Sequence, residues 1–148
     1  MIDTRFKFDI KLYLSFISYK MEGIIKEHIL KFGETRKKGQ YKDSTIKMYV
    51  SNIKNLQKLV EGDKPFDDLE WTENVENVQE KLNKIDNVQT RRNYVNSLIV
   101  SLQTMTYPKD LVAKYEILRD IFNSEYANSG YLTANQQIIM NKISKEDI

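Results

Sequence analysis

Cysteine is absent from the 148 residues, and there is one histidine, one tryptophan and two prolines. Without cysteine there are no disulfides, no cysteine-containing zinc sites and no thiol nucleophile. His28, in "GIIKEHILKF", has no second soft ligand and reads as a structural or surface residue, so neither a metal nor a cofactor is expected. No apolar run approaches the roughly 20 residues that a bilayer-spanning helix needs. The opening "MIDTRFKFDIKLYLSFISYK" is interrupted by Asp9 and Lys11, and no small-residue cleavage site follows it. Neither a membrane contact nor a secretory leader is therefore expected. The expected location is intracellular, in cytoplasm or nucleus, or inside a virion if the protein is viral.

What is present is 41% hydrophobic and 30% charged residues, the balance of a globular domain, at a length that suits one core. The formal net charge of +2 conceals an uneven distribution. Positions 1–60 hold 13 basic against 6 acidic residues, 61–86 hold 3 against 9, and the remainder 7 against 6. Enrichment in Lys, Asn and Ile is the bias of AT-rich coding DNA.

With so few Gly and Pro, the chain reads as nearly all helical after residue 21. The expected fold is a mainly α, compact bundle of four to six helices. Residues 21–32 carry Ile25, His28, Ile29 and Phe32 on one stripe, with Gly33 as the stop. The basic stretch 33–42, bounded by Gly33 and Gly39, is expected to be a mobile loop. Asp43 or Ser44 is expected to cap a helix whose Ile46, Tyr49, Val50, Ile53, Leu56 and Val60 recur at the helical period, and Gly62 ends it. Thr72 is the expected cap of a third helix with Val75, Val78, Leu82 and Ile85 inward. The fourth, 88–105, has a wide apolar face and is expected to be central. Pro108 is placed for the first turn of a fifth, with Leu111, Tyr115, Leu118 and Phe122 inward. Thr133 and Gln136 form a T-x-x-Q capping box for a short last helix.

The first twenty residues behave differently. "FKFDIKLYLSF" alternates, with Phe6, Phe8, Ile10, Leu12, Leu14 and Phe16 on one face. That pattern predicts a half-buried β-strand extension over 1–20, ahead of a helical domain over 21–148. Phe6, Ile10, Tyr13, Ile17 and Met21 also share a helical stripe, but a helix here would leave apolar groups all round. A strand would need a sheet edge from another copy or from a partner protein, docking through those six apolar residues.

Lys47, Lys54 and Lys58, spaced by seven and four, lie along one side of the second helix, away from its apolar stripe. With Arg36, Lys37, Lys38 and Lys42 just before them they form a basic strip able to contact phosphates, or else a solvated face beside a loop. Arg91 and Arg92 make a second basic cluster at the start of the fourth helix. Cations there oppose the helix dipole, so something outside the helix must favour them: a phosphate, or a salt bridge to the acidic 61–86 segment. Asp67, Asp68 and Glu70 read as solvated carboxylates, and Phe66 and Trp71 as anchors for the acidic connection. Tyr41, Tyr49, Tyr94, Tyr107, Tyr115 and Tyr126 read as core side chains with hydroxyls at the rim.

The segment "STIKMYVSNIKNLQKL", with Thr45, Tyr49, Ile53 and Leu56, resembles the first helix of the core-binding (SAM-like) N-terminal domain of tyrosine recombinases and phage integrases. "VQTRRNYVNSLIVSLQ" is similar to a later segment of that domain at Thr90, Arg91 and Leu98. "GYLTANQQIIMNKIS" looks like its Leu-Thr lead-in to the catalytic domain, at Leu132 and Thr133. The likeness spans roughly 40–144, with 40–130 as its core-binding part. It implies a DNA-binding arm and no catalysis, because the family's Arg, Lys, His and Arg constellation and Tyr nucleophile are not matched. Tyr131 has no surrounding cations to activate it.

The resulting expectation is a non-enzymatic module that holds double-stranded DNA through phosphates with little base reading, without catalytic residues. The alternative is a structural interaction component, such as a minor virion or assembly protein, docking through its N-terminal strand. A third reading is an accessory subunit of a recombination enzyme.

Overall fold

The central element is a helix, α4 (Val88–Thr104), that has apolar or small side chains over most of its circumference. Val95, Leu98, Ile99 and Leu102 are buried, and so are Ser97, Ser101 and Thr104. These small hydroxyl residues let neighbouring backbones approach where a larger side chain would hold them apart. The computed structural model describes residues 9–128. Within them α4 packs against α1 (Ile10–Glu34), α2 (Asp43–Glu61) and α5 (Lys109–Ala127), with a shorter α3 (Val75–Asn83) lying against α2 and α5. The mainly helical bundle expected from the periodicity is what the chain forms, and α4 is its centre.

The helix directions follow from which residues meet. Glu22 of α1 pairs with Lys54 of α2, Lys26 lies near Lys47, and Leu14 lies near Lys58, so α1 and α2 are antiparallel. Asn52 of α2 donates its amide to Ser97 Oγ of α4 at 2.9 Å, while Asn55 and Leu59 lie near Thr90 and Tyr94. Ser97 Oγ in turn donates to Asn93 O at 2.7 Å. Arg91 at the start of α4 meets Glu125 at the end of α5. One end of the bundle therefore gathers the beginning of α1, the end of α2, the beginning of α4 and the end of α5.

The N-terminal segment departs from the sequence reading. Ile10, Leu12, Leu14 and Phe16 are helical, not extended, and α1 runs unbroken through residue 20 into the stripe of Met21, Ile25 and Ile29. Asp9 caps it by accepting from Leu12 N at 3.2 Å. A helix satisfies its own backbone donors, whereas a strand here would need an edge that a helical bundle does not supply. Phe6 and Phe8 lie outside the described residues, as does the helix expected at Thr133.

Three local expectations are also corrected. Gly33 does not end α1, which continues to Glu34; its backbone is crossed by Gln40, whose Nε2 donates to Leu30 O at 3.0 Å. A Cβ at position 33 would overlap the Gln40 carboxamide. The 33–42 segment is thus tied back onto α1, although Gly39 turns through a positive φ of 91° as a loop glycine does. Neither Asp43 nor Ser44 caps α2: Lys42 occupies the cap position, without a side-chain bond, and Asp43 pairs with Lys47. Asn74, not Thr72, caps α3, by accepting from Asn77 N at 3.1 Å.

Thr72 is engaged elsewhere. It lies in a 3-10 turn (Glu70–Glu73) and its hydroxyl donates to Leu69 O at 2.5 Å. Tyr115 Oη donates to Thr72 O, also at 2.5 Å, and Trp71 Nε1 donates to Asp68 O at 3.2 Å. Phe66, Leu69 and Trp71 are buried, so the acidic connection is anchored from within, as the sequence suggested. The Tyr115 hydroxyl, expected at the rim, is inside the core, and burial pushes its pKa well above that of a free phenol. Gly62 ends α2 as expected, at φ 74°. Between α4 and α5, Thr106 takes a φ of 58°, a conformation that strains a β-branched residue.

Candidate nucleic-acid interface

Lys47, Lys54 and Lys58 project from the exposed side of α2, because the buried stripe of Ile46, Val50, Ile53 and Leu56 faces α4 and α1. The fold adds a residue that the reading of α2 alone missed. Lys26 of α1 lines the same shallow groove as Lys47 and Lys54. Its position next to Ile25, on the flank of the α1 stripe, is the signal that would have found it. Lys47 Nζ lies 3.1 Å from Asp43 and Lys54 Nζ 3.2 Å from Glu22, with 64% and 49% of the two lysine side chains exposed. The Lys47–Asp43 pair is open on both sides and contributes about 0–1 kcal/mol, so phosphate can compete for that ammonium at little cost, whereas Lys54 is held by Glu22, whose side chain is only 26% exposed. Lys58 joins Lys54 in a neighbouring groove that also holds Lys64, Asp63 and Ser18.

The preceding loop contributes Lys37, Lys38 and Lys42, all exposed. Arg36 is only half exposed, and its guanidinium lies 3.8 Å from the centre of the Tyr41 ring. Tyr41 meets Tyr49 edge to face at 5.9 Å. Burial raises the Tyr49 pKa and Tyr41 raises it further, with Arg36 opposing. The stack fixes the loop against α2 and holds Arg36 in place through its cation–π contact.

Arg91 and Arg92 are used differently. Arg91 donates from Nε to Ile85 O at 2.5 Å and from Nη1 to Glu125 at 2.9 Å, with only 15% of its side chain exposed. Arg92 donates to Asn123 Oδ1 at 2.8 Å, and its guanidinium lies 3.9 Å from the centre of the Tyr126 ring. Both join the start of α4 to the end of α5. The carboxylate that holds Arg91 is Glu125, not one in 61–86. Asn87 caps α4 by accepting from Gln89 N and Thr90 N, which leaves both cations to turn toward α5. A pairing 34 residues away in sequence leaves no local signal.

The apolar residues expected to dock as a strand are divided by the helix. Leu14 is half-buried against α2, whereas Ile10, Leu12 and Phe16 are exposed. Among the described residues, no group of three His, Asp or Glu side chains could hold a metal. Asp68 Oδ1 accepts from Glu70 N at 3.0 Å, as a turn residue does. No described helix is long and apolar enough to cross a membrane. Tyr131, Leu132 and Thr133 lie outside the described residues.

Comparison with family models, curated proteins and solved structures returns no match to this chain. Fold and surface together define a class only: a helical bundle with a lysine-lined groove between its first two helices.

Proposed function

We propose that the bundle is a non-enzymatic module that holds duplex DNA through its phosphates. The observation that carries this reading is the convergence of Lys26, Lys47 and Lys54, from two separate helices, on one exposed groove, continued by Lys58. Lys37, Lys38 and Lys42 extend the positive field toward the start of α2. Lysine is a point charge on a flexible stem, without the planar fork that reads a base edge in two places. Binding through such a face is largely indifferent to sequence. Arg91 and Arg92 are left out of the footprint because α5 already uses their donors. The resemblance of Thr45, Tyr49, Ile53 and Leu56 to the core-binding arm of tyrosine recombinases supports the same reading.

The test is fluorescence anisotropy of a labelled duplex against salt. Affinity should fall with a log–log slope of roughly 0.9 per phosphate contacted. Replacing Lys26, Lys47, Lys54 and Lys58 by Glu should weaken all duplexes alike. A folded chain that fails to bind at low salt overturns the reading.

A second reading, protein docking, rests on the exposed apolar side chains of α1. Since Ile10, Leu12 and Phe16 are helical, such docking would lay a helix face on a partner instead of adding a strand to a sheet.

A further inference from the structure

The end of the bundle remote from Arg91 and Glu125 holds a cleft of about 630 Å³, between the last turn of α1 and the turn that joins α4 to α5. Its walls are apolar and aromatic: Phe32 from α1, Tyr107 and Pro108 from the turn, and Val112 from α5. Thr106 sets this shape. At its φ of 58° the chain reverses after α4, so that Tyr107 N donates back to Leu102 O at 3.0 Å and the Tyr107 side chain lies half-buried against the core. Strain of this kind persists only where the surroundings over-determine it, and it gathers at ligand sites. Small-molecule sites are mostly apolar clefts of roughly 300–1,000 Å³ with a few placed polar groups.

The polar group placed here is Glu116. It lines the cleft one turn beyond Val112, is half-buried, and makes no hydrogen bond or ion pair among the described residues. A carboxylate partly withdrawn from water against apolar walls gains most from a cation. Burial raises the Tyr107 pKa, and the carboxylates of Asp68, Glu73 and Glu70 raise it further, so the negative field of the acidic connection reaches the cleft as well. Lys109, the one cation among the lining residues, is exposed at the start of α5 beside Asp110.

We infer that this cleft binds a small organic amine, with its protonated nitrogen at Glu116 and an apolar or aromatic body against Phe32, Tyr107 and Val112. The negative faces of the two rings favour a cation in the same place. A lysine side chain from a partner protein offers the same ammonium, but on a slender stem that leaves most of these walls uncovered. The cleft shares no lining residue with the lysine grooves, so the inference does not depend on DNA binding.

The probe is 2-phenylethylammonium, titrated into the isotopically labelled full chain and read by amide chemical shifts, with 2-phenylethanol and 3-phenylpropionate as neutral and anionic counterparts. Saturable shifts should be confined to the surroundings of Phe32, Thr106, Val112 and Glu116, with affinity falling from amine to alcohol to acid. Glu116→Gln should weaken the amine by about tenfold and leave the alcohol unchanged. Phe32→Ala should weaken both alike. Equal affinity for the three probes, or an amine that keeps its affinity in Glu116→Gln, overturns the inference. So does a folded chain without saturable shifts at the cleft, or with shifts at Leu12 and Phe16 instead. A lysine tetrapeptide that binds there more tightly than the amine also overturns it, in favour of a protein partner.

Discussion

The hydroxyl of Tyr115 in α5 donates to the main-chain carbonyl of Thr72 at 2.5 Å, in the interior, joining α5 to the connection between α2 and α3. The two residues are 43 positions apart, so this bond fixes tertiary structure, not local conformation. Tyr115→Phe leaves the carbonyl buried without its donor. It should cost about 1–3 kcal/mol, read as a lower urea midpoint at unchanged slope, with helix content preserved.

Tyr49, Tyr107 and Tyr115 all have pKa values raised above the ordinary 10.0, with burial the leading cause in each. For Tyr107 the carboxylates of Asp68, Glu73 and Glu70 add to it. Above pH 10 the unfolded chain loses these protons while the folded one keeps them, so the unfolded state binds fewer protons and stability falls as pH rises. The contribution is intact below pH 10. Thermal melts should be insensitive to these groups from pH 7 to 9 and drop steeply above 10, with a shallower drop in Tyr115→Phe.

Gly33→Ala should displace the Gln40 carboxamide that anchors the basic loop, a loss that the gain of about 1 kcal/mol in helix propensity offsets, so the net change in stability should stay within about 1 kcal/mol. Gln40→Ala alone loses only that anchor. The double variant should be more stable than the sum of the two single changes predicts, a coupling measurable in a denaturation cycle.

Arg91→Ala should lower stability by about 1.5–3 kcal/mol, since it removes charge-assisted bonds to Ile85 and Glu125. At equal folded fraction it should change duplex affinity less than any single lysine replacement in the α1–α2 groove. An Arg91 effect on affinity larger than that of Lys54 would restore the arginines to the footprint.

Thr106→Gly should raise the melting midpoint. Relief of a left-handed β-branched residue is worth about 1–2 kcal/mol, part of which the added backbone freedom of glycine cancels.

Much of the bundle was legible because its stripes are long. Ile46 to Leu56, Val95 to Leu102 and Leu111 to Phe122 each repeat over several turns, and no competing period fits them. Residues 10–16 were misread because alternating and helical apolar patterns coexist there, and the deciding fact, continuity with Met21 and Ile25, is a property of the folded helix. Thr72 and Asn74 are both good caps by type; the choice depends on Thr72 being occupied by the 3-10 turn. The lysines of α2 were visible as a row. Their relation to Lys26 and Glu22 required the antiparallel packing of α1, and the engagement of Arg91 and Arg92 required the return of α5.

The contact from Asn52 to Ser97 and on to Asn93 O has a further consequence. Faces built from Ile, Leu and Val attract one another in several alignments, since one methyl substitutes readily for another. Sliding α2 along α4 by a single turn, about 5.4 Å, would keep most apolar contact but break the bond from Asn52 to Ser97. The pair therefore acts as an index mark: it adds little to the depth of the native well and much to its uniqueness, and it holds Lys47, Lys54 and Lys58 at a constant height along the molecule.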